Sequence, residues 1–204
     1  MTDGSLPFVV RPMEEGDIPE VMEIERVSFP APWPESAYRY ELRYGSDSRF
    51  FVLQPVAEEG RSRRLWSMVR RRSNAPVLGY AGLRFRQGKA HLSTIAVHPA
   101  WRGKGLGAFL LLTVLEEAIR EGVEQVTLEV RPSNRVAQRL YIRVGFVYTG
   151  LCPGYYRDGE DAWLMALTLN GEAVARLRAL RQAAEAHVRR IGRFSQQGVD
   201  DGKR

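Results

Sequence analysis

Three glycines, Gly103, Gly105 and Gly107, stand at alternate positions immediately before a long apolar segment of helical periodicity. Glycine lets bare backbone approach a ligand, and the first N–H groups of a helix have no partner inside the helix. These N–H groups and the positive end of the helix dipole attract an anion, above all a phosphate. Arg102 and Lys104 add positive charge beside them. The spacing therefore predicts a phosphate-binding loop at the entrance of a helix.

Two other phosphate motifs do not fit this loop. A Walker loop requires Ser or Thr directly after Gly-Lys, whereas Gly105 follows Lys104 here. A dinucleotide fingerprint has the spacing G-x-G-x-x-G and an acidic residue about 20 positions later at a strand end. Here the third glycine comes one position early, and the next predicted strand has no acidic residue at its end. We therefore expect a different phosphate ligand.

Segments with an apolar residue at every second position alternate along the chain with segments of helical apolar spacing. These patterns predict the strands and helices that position the glycine loop. The predicted strands cover residues 7–12, 49–56, 77–85, 90–97, 124–130, 146–156 and 162–170. Five helices are predicted: one after a capping box at 17–20, one over 35–44, one after the glycine loop, one over 134–145 and one after Asn170. The helix over 134–145 has Asn134 as its N-cap and Gly145 just beyond its end. This order, with an Asp158-Gly159 hairpin signal, predicts an α/β (α+β) fold in which helices cover a mixed sheet.

Composition narrows the class of protein. The 204 residues are 44% hydrophobic, and they contain no run near the roughly 20 apolar residues that cross a bilayer. The opening MTDGSLPFVV lacks the layout of a secretion signal, and the single Cys152 allows no internal disulfide, so we expect a cytoplasmic protein. The net charge of +6 is concentrated in 57–76 and 176–204, which carry +4 and +5. Such basic segments favour contact with RNA or another polyanion, and the alternative is a solvated arginine-rich loop and tail.

The glycine loop, Arg102-Gly103-Lys104-Gly105-Leu106-Gly107, resembles the cofactor loop of the GCN5-related N-acetyltransferases (GNAT), whose signature is Arg/Gln-x-x-Gly-x-Gly/Ala. The likeness runs from about residue 8 to 169. Within the family, TIAVHPAWRGKGLG, LEVRPSNRVAQRLYIRVGF and GYYRDGEDAWLMAL are similar to the ribosomal-protein-alanine N-acetyltransferases. The resemblance implies a GNAT fold of about six to seven mostly antiparallel strands. It also implies transfer of acetyl from acetyl-CoA to a protein N-terminus, most readily the alanine of a ribosomal protein.

The resemblance also assigns roles to individual residues. The residues that it implies for acetyl-CoA binding are Ile95, Ala96, Val97, Arg102, Gly103, Lys104, Gly105, Leu106, Gly107, Ala108 and Asn134. It implies Glu129 as general base and Tyr141 as general acid. Tyr155 and Tyr156, together with Phe29 and Trp33 between the first two helices, are implied to shape the acceptor groove.

The two catalytic assignments agree with the chemistry of amide formation. An α-amino group has a pKa of about 7.7–8.0, so much of it is protonated at neutral pH, and a carboxylate can remove that proton directly or through a water molecule. The leaving group is a thiolate, which a phenol can protonate. Glu129 alternates with the apolar row of its strand, and Tyr141 shares a helical face with Asn134. His91, His98 and His187 are too scattered for a metal site, so we expect no metal and interpret all three as structural or exposed. Cys152 is expected to be an inert thiol.

Two segments depart from the family pattern, and they leave the acceptor open. We expect an acetyltransferase domain over 6–169 with an Arg-rich insertion at about 61–76, followed by a C-terminal helix and a disordered basic tail over 170–204. Either segment could change which amine fits. One alternative is a GNAT enzyme that acetylates a lysine, a polyamine or a small-molecule amine. Another is a CoA-binding module with an RNA- or ribosome-associated role, and no membrane contact is expected in any case.

Overall fold

A computed structural model describes residues 6–56 and 75–197, and in 192–197 only the backbone. The strands are β1 Phe8–Pro12, β2 Ser48–Pro55, β3 Gly79–Arg86, β4 Lys89–Val97, β5 Gln125–Val130, β6 Val147–Cys152 and β7 Ala162–Thr168. The helices are α1 Ile18–Ser28, α2 Glu35–Tyr44, α3 Leu106–Arg120, α4 Arg135–Val144 and α5 Gly171–Gln197. Short 3-10 turns cover Glu15–Asp17 and Pro99–Trp101. The predicted fold class is confirmed.

The seven strands form one sheet in the order β1-β2-β3-β4-β5-β7-β6. Every neighbouring pair is antiparallel except β4 and β5, which run parallel in the middle of the sheet. Apolar side chains from alternate strand positions form two cores, one on each face. One core lies against α3, α4 and α5, and the other lies against α1 and α2. The sheet is therefore a scaffold covered by helices on both sides.

The parallel pair β4 and β5 separates within the sheet. Their register ends at His91↔Thr127, although β4 continues to Val97 and β5 to Val130. Just past that point β4 contains a bulge, because Ser93 is an extra residue between the positions that pair with Gly82 and Leu83 of β3. A bulge bends its strand and increases its twist. The two strands consequently diverge and leave an open wedge between them.

The C-terminal helix α5 packs antiparallel along α3 as part of the fold. Leu177 is almost fully buried and Val188 is 0% exposed, so both ends of the helix contribute to the core. Midway along, Glu116 of α3 lies 3.9 Å from the guanidinium groups of Arg178 and Arg181. The helix runs to Gln197, into the segment from residue 195 that was predicted to be disordered.

Three details differ from the sequence-based expectation or fall outside the described residues. The capping box lies one turn earlier than predicted: a 3-10 turn precedes α1, and the Asp17 carboxylate accepts the Glu14 N–H at 2.8 Å and pairs with Arg11 at 2.7 Å. Strand β6 ends at Cys152, and the hairpin loop to β7 is longer than a two-residue turn. Residues 57–74, which include most of the Arg-rich insertion predicted at about 61–76, lie outside the described residues. Within 6–56 and 75–197, no helix has the length and apolarity to cross a membrane.

Candidate active site

The glycine loop enters the wedge at its open end. Strand β4 leads through the Pro99–Trp101 turn into the loop, and α3 begins directly after it. Gly103 and Gly105 have φ of 75° and 74°, the left-handed conformation that glycine adopts without strain. In the described part of the chain, no backbone acceptor is bonded to the N–H groups of 103–108. The loop therefore offers a run of free donors at the positive end of α3, as a diphosphate requires.

The two basic residues of the loop have different surroundings. The Arg102 side chain donates to the Val97 carbonyl at 2.9 Å and to the Ser28 hydroxyl at 2.8 Å. Its guanidinium therefore ties the loop to the end of β4 and to α1. The Lys104 ammonium lies 4.4 Å from the centre of the Trp101 ring, over its face, and its side chain is exposed. Lys104 is thus the loop cation that is more available to an incoming anion.

The predicted strand residues Ile95, Ala96 and Val97 lie beyond the point where β4 leaves β5. On one side they pair with β3 through Ala81, Tyr80 and Gly79, respectively. In an antiparallel pair, alternate residues direct their N–H and C=O groups away from the partner strand. On this stretch those groups face the wedge, where β5 no longer pairs with β4. An extended amide-containing ligand could bond to this edge as an additional strand does.

Glu129 lies on β5, two positions past its last pairing with β4. Its neighbours Leu128 and Val130 are buried on the opposite face, whereas the Glu129 side chain is 23% exposed on the α1/α2 side of the sheet. The carboxylate oxygen Oε2 lies 3.1 Å from His91 Nε2 and accepts a long hydrogen bond, 3.5 Å, from the Tyr155 hydroxyl. The predicted base is therefore accessible and has polar neighbours from β4 and from the β6–β7 loop.

His91 is a neighbour of the predicted base that the sequence reasoning missed. Its Nδ1 lies 3.1 Å from the Thr127 hydroxyl oxygen, and its Nε2 meets Glu129. The sequence contained one usable signal, because His91 alternates with buried Ala90 and Leu92 and therefore faces away from the apolar core. Nothing in the sequence, however, pairs His91 with Thr127, since that depends on the register of two distant strands.

Tyr141, the predicted acid, lies on α4 with its ring 5.7 Å from that of Phe146. It is only 6% exposed, and burial, reinforced by the nearby Tyr156 phenol, raises the pKa of its hydroxyl. The same helix begins at Asn134, whose side chain accepts the Ala137 N–H at 3.1 Å while remaining exposed. Asn134 is therefore the N-cap that the sequence predicted, at the end of α4 nearest β5.

The predicted acceptor-groove tyrosines belong to a network on the β6–β7 loop. The rings of Tyr155 and Tyr156 meet edge to face at 5.0 Å, and the Arg131 guanidinium lies 3.7 Å from the centre of the Tyr156 ring. Arg131 is paired with Asp158 at 2.9 Å and with Glu160 at 2.8 Å. Burial raises the pKa of Tyr156 to about 12, although Arg131 opposes the shift. This Arg131-centred network was not anticipated from the sequence.

The other predicted groove residues, Phe29 and Trp33, lie in the α1–α2 connection and pack against the core on that face. The Trp33 N–H donates to Glu25 Oε1 at 2.8 Å, and the Tyr38 hydroxyl donates to Glu25 Oε2 at 3.1 Å. Glu25 is 2% exposed, and burial raises the pKa of its carboxyl above the usual range. A buried carboxyl therefore holds the connection in place.

Two further candidates from the sequence are His98 and Cys152. His98 accepts the Ala100 N–H at 3.3 Å and so caps the turn after β4, a structural role as expected. Cys152 is a half-buried free thiol. Among the described residues, no three His, Cys, Asp or Glu side chains cluster closely enough to hold a metal ion.

Comparisons with known proteins identify the family. The model of the acetyltransferase (GNAT) family matches residues 18–146. The N-alpha-acetyltransferase RimI of Mycobacterium tuberculosis is 34% identical, over 81% of this chain and 95% of its own. The ribosomal protein bS18-alanine N-acetyltransferase of Escherichia coli is 29% identical, over 78% and 95%. The crystal structure of the E. coli enzyme has a TM-score of 0.63 and covers 81% of this chain and 97% of that one.

A more distant neighbour shares the fold alone. The crystal structure of the NatC complex bound to Gag peptide and CoA has a TM-score of 0.63 at 18% identity, over 81% of this chain and all of that one.

Proposed function

This chain belongs to the acetyltransferase (GNAT) family, whose members use acetyl-CoA, and we propose that it acetylates the N-terminal α-amine of a protein. The first candidate acceptor is a ribosomal protein that begins with alanine, as in the relative named for bS18. One observation carries the proposal: β4 and β5 diverge after His91↔Thr127, so the free edge of β4, the glycine loop and Glu129 border the same wedge. A cytoplasmic location is part of this proposal.

Acetyl-CoA would supply the activated acetyl group, and the residues at the wedge fit its chemical parts. The N–H groups of 103–108 suit the diphosphate, because they are free donors at a helix N-terminus. The β4 edge at 95–97 suits the two amides of the pantetheine arm, which can bond to it in the manner of a strand. Lys104 adds a nearby exposed cation, and Asn134 stands at the start of the neighbouring helix.

Glu129 is proposed to take the proton of the acceptor amine. A free α-amine has a pKa of about 7.7–8.0, so near neutral pH it is largely protonated and must lose a proton before it can attack. Glu129 is a partly exposed carboxylate beside the open wedge, where both a donor arm on β4 and an incoming amine can reach it. The proton can pass directly to the carboxylate or through one water molecule.

Tyr141 is proposed to protonate the departing thiolate. A general acid must hold its proton until it is needed, and burial raises the pKa of Tyr141 well above that of a free phenol. The hydroxyl therefore stays protonated near neutral pH. Tyr141 also shares α4 with Asn134, which supports a place on the cofactor side of the wedge.

The acceptor is proposed to lie between the α1–α2 connection and the β6–β7 loop. Trp33 is held by Glu25, and Tyr155 reaches the Glu129 carboxylate, so two firmly supported segments border the proposed base. Tyr156, fixed against Arg131, supplies a rigid wall for the first residues of the acceptor. We infer that the acetyltransferase domain covers 6–169, with 170–204 as an extension whose helix α5 docks on α3.

The proposal is tested by acetyl transfer from labelled acetyl-CoA to three acceptors. These are a peptide that begins with alanine, the same peptide with a blocked N-terminus and an internal lysine, and spermidine. We expect label on the first only, located by mass spectrometry on the N-terminal nitrogen. Equal labelling of the lysine or spermidine would replace this proposal with the alternative acceptors.

The contact with RNA or the ribosome remains a prediction, because most of its Arg-rich segment lies outside the described residues. Salt dependence provides the test. Binding through several arginines must weaken steeply as salt rises, because each phosphate contact releases counterions. An affinity for RNA that does not change with salt would contradict it.

A further inference from the structure

We propose that His91 is the positioning residue of the catalytic base: it holds the Glu129 carboxylate so that one oxygen remains free for the acceptor amine. The inference rests on the proposed function, in which Glu129 removes the amine proton. It goes beyond that function, because it adds a residue from a different strand to the catalytic apparatus.

The contacts of Glu129 are one-sided. His91 Nε2 at 3.1 Å and the Tyr155 hydroxyl at 3.5 Å both approach the same oxygen, Oε2. Among the described residues, no hydrogen bond is made to Oε1. A carboxylate whose one oxygen is occupied by two neighbours keeps the lone pairs of the other available. Oε1 is therefore the oxygen that would receive the proton.

His91 is itself fixed by the backbone and by a side chain. His91↔Thr127 is the last register pair before β4 and β5 diverge, so the strands set the position of the imidazole. The Thr127 hydroxyl oxygen lies 3.1 Å from His91 Nδ1 and 3.5 Å from the Ala90 carbonyl. A hydroxyl both donates and accepts, so Thr127 can satisfy Nδ1 whether or not that nitrogen carries a proton. The imidazole can thus keep Nε2 towards Glu129 in either charge state.

The position of this pair distinguishes it from an ordinary surface ion pair. His91 is the last β4 residue still joined to β5, whereas Glu129 lies on β5 just beyond the separation. The His91–Glu129 contact therefore joins the two strands at the closed end of the wedge, and it sets the direction of the carboxylate just beyond the last strand pair. A surface ion pair without this role contributes little, and its loss would leave turnover unchanged.

The test compares His91→Leu and His91→Gln, each in the wild type and in Glu129→Gln, with acetyl-CoA and the peptide that begins with alanine. We expect His91→Leu to lower kcat about tenfold or more, towards the loss typical of a removed general base, with the KM for acetyl-CoA unchanged. His91→Gln should restore most of the rate, because its amide can still donate to the carboxylate. In Glu129→Gln, His91→Leu should cause no further loss, since there is no base left to position.

One control variant and two contrary outcomes complete the test. Lys89→Leu, on the same strand two positions earlier and exposed, should leave kcat unchanged. If kcat falls in Glu129→Gln but stays at the wild-type value in His91→Leu, this inference is overturned and the proposed function remains intact. If His91→Leu lowers kcat by the same factor in the Glu129→Gln background as in the wild type, the inference is overturned as well, since that pattern indicates a structural effect.

A measurement that needs no turnover covers the case in which no peptide is acetylated, which would refute the proposed function. We expect the nitrogen NMR signals of the His91 imidazole to differ between the wild type and Glu129→Gln at the same pH. Identical signals would show that the imidazole does not sense the carboxylate and would overturn the positioning role by themselves.

Discussion

The imidazole of His187 on α5 lies directly over Gly105, at the entrance of α3. A Cβ placed on Gly105 would come within 2.5 Å of His187 Cδ2 and 3.0 Å of Nε2. Gly105 also has φ of 74°, so it must be glycine for two independent reasons: the backbone conformation and the histidine above it. The C-terminal helix thus closes over the loop that we propose binds the CoA diphosphate.

Replacement of Gly105 by alanine should abolish measurable CoA binding and destabilise the protein. The left-handed conformation alone costs a side chain about 1–2 kcal/mol, and the overlap with His187 adds to that cost. The loop or the His187 ring must shift to relieve the overlap, and a shift of the loop moves the N–H donors that we propose bind the phosphates. Calorimetric titration with CoA and urea denaturation measure the two effects.

Two variants separate the causes. Gly122→Ala has nearly the same φ, 69°, but no atom within 4 Å of its Cβ, so it should show the conformational cost alone. In the His187→Ala background, Gly105→Ala should lose only about as much stability as Gly122→Ala does. Equal costs for Gly105→Ala in both backgrounds would contradict the contact with His187.

The C-terminal helix should contribute substantially to stability. Leu177→Ala is expected to lower the free energy of unfolding by about 2–5 kcal/mol, because it removes a buried side chain and leaves a cavity. Gln182→Ala, exposed on the same helix, should stay within about 0.5 kcal/mol of the wild type. Chemical denaturation measures both. A wild-type stability for Leu177→Ala would mean that α5 does not dock on α3.

Glu25 should make the protein less stable as the pH rises. Burial raises the pKa of its carboxyl, so the folded state holds this proton more tightly than the unfolded state does. Between the ordinary carboxyl value of about 4.3 and the raised value, the folded state binds more protons, and the free energy of unfolding falls with increasing pH. Glu25→Gln lacks this group, so the stability difference, wild type minus variant, should decline from pH 4 to pH 8.

Urea denaturation at several pH values measures that difference, and Glu23→Gln, exposed on the same helix, controls for the loss of one negative charge. A difference that grows with pH would mean that the Glu25 carboxyl is stabilised in its ionised form.

Tyr141→Phe should lower kcat by about 10²-fold or more with little change in the KM for acetyl-CoA, as expected for the loss of a general acid. Burial raises the pKa of this phenol, so its ionisation should not shape the pH dependence of kcat between pH 7 and 10. The shape of the rate profile over that range should therefore be the same in both enzymes, although the variant is slower. Steady-state rates over that range provide the measurement. Tyr44→Phe, exposed at the end of α2, should behave like the wild type; an undiminished kcat in Tyr141→Phe would remove the acid assignment.

The sequence by itself determined the local features of this protein. Every strand and helix in the described residues lies near its predicted position, because the spacing of apolar residues within each segment indicates a strand or a helix. Asn134 and Gly145 act as predicted at the ends of α4, since caps depend on a few neighbouring residues. The glycine loop and the outward direction of Glu129 were equally local, and the resemblance they supported led to the correct family.

The tertiary structure alone decided which of these features meet. The separation of β4 from β5 requires a register between residues 36 positions apart and a bulge against β3, and no local pattern specifies either. The same holds for His91 beside Glu129 and for His187 over Gly105: both histidines were expected to be structural or exposed. Such contacts arise from the packing of distant segments, so an intrinsic preference of one segment cannot reveal them. The sequence therefore indicated the candidate reactive groups, and the fold determined their neighbours.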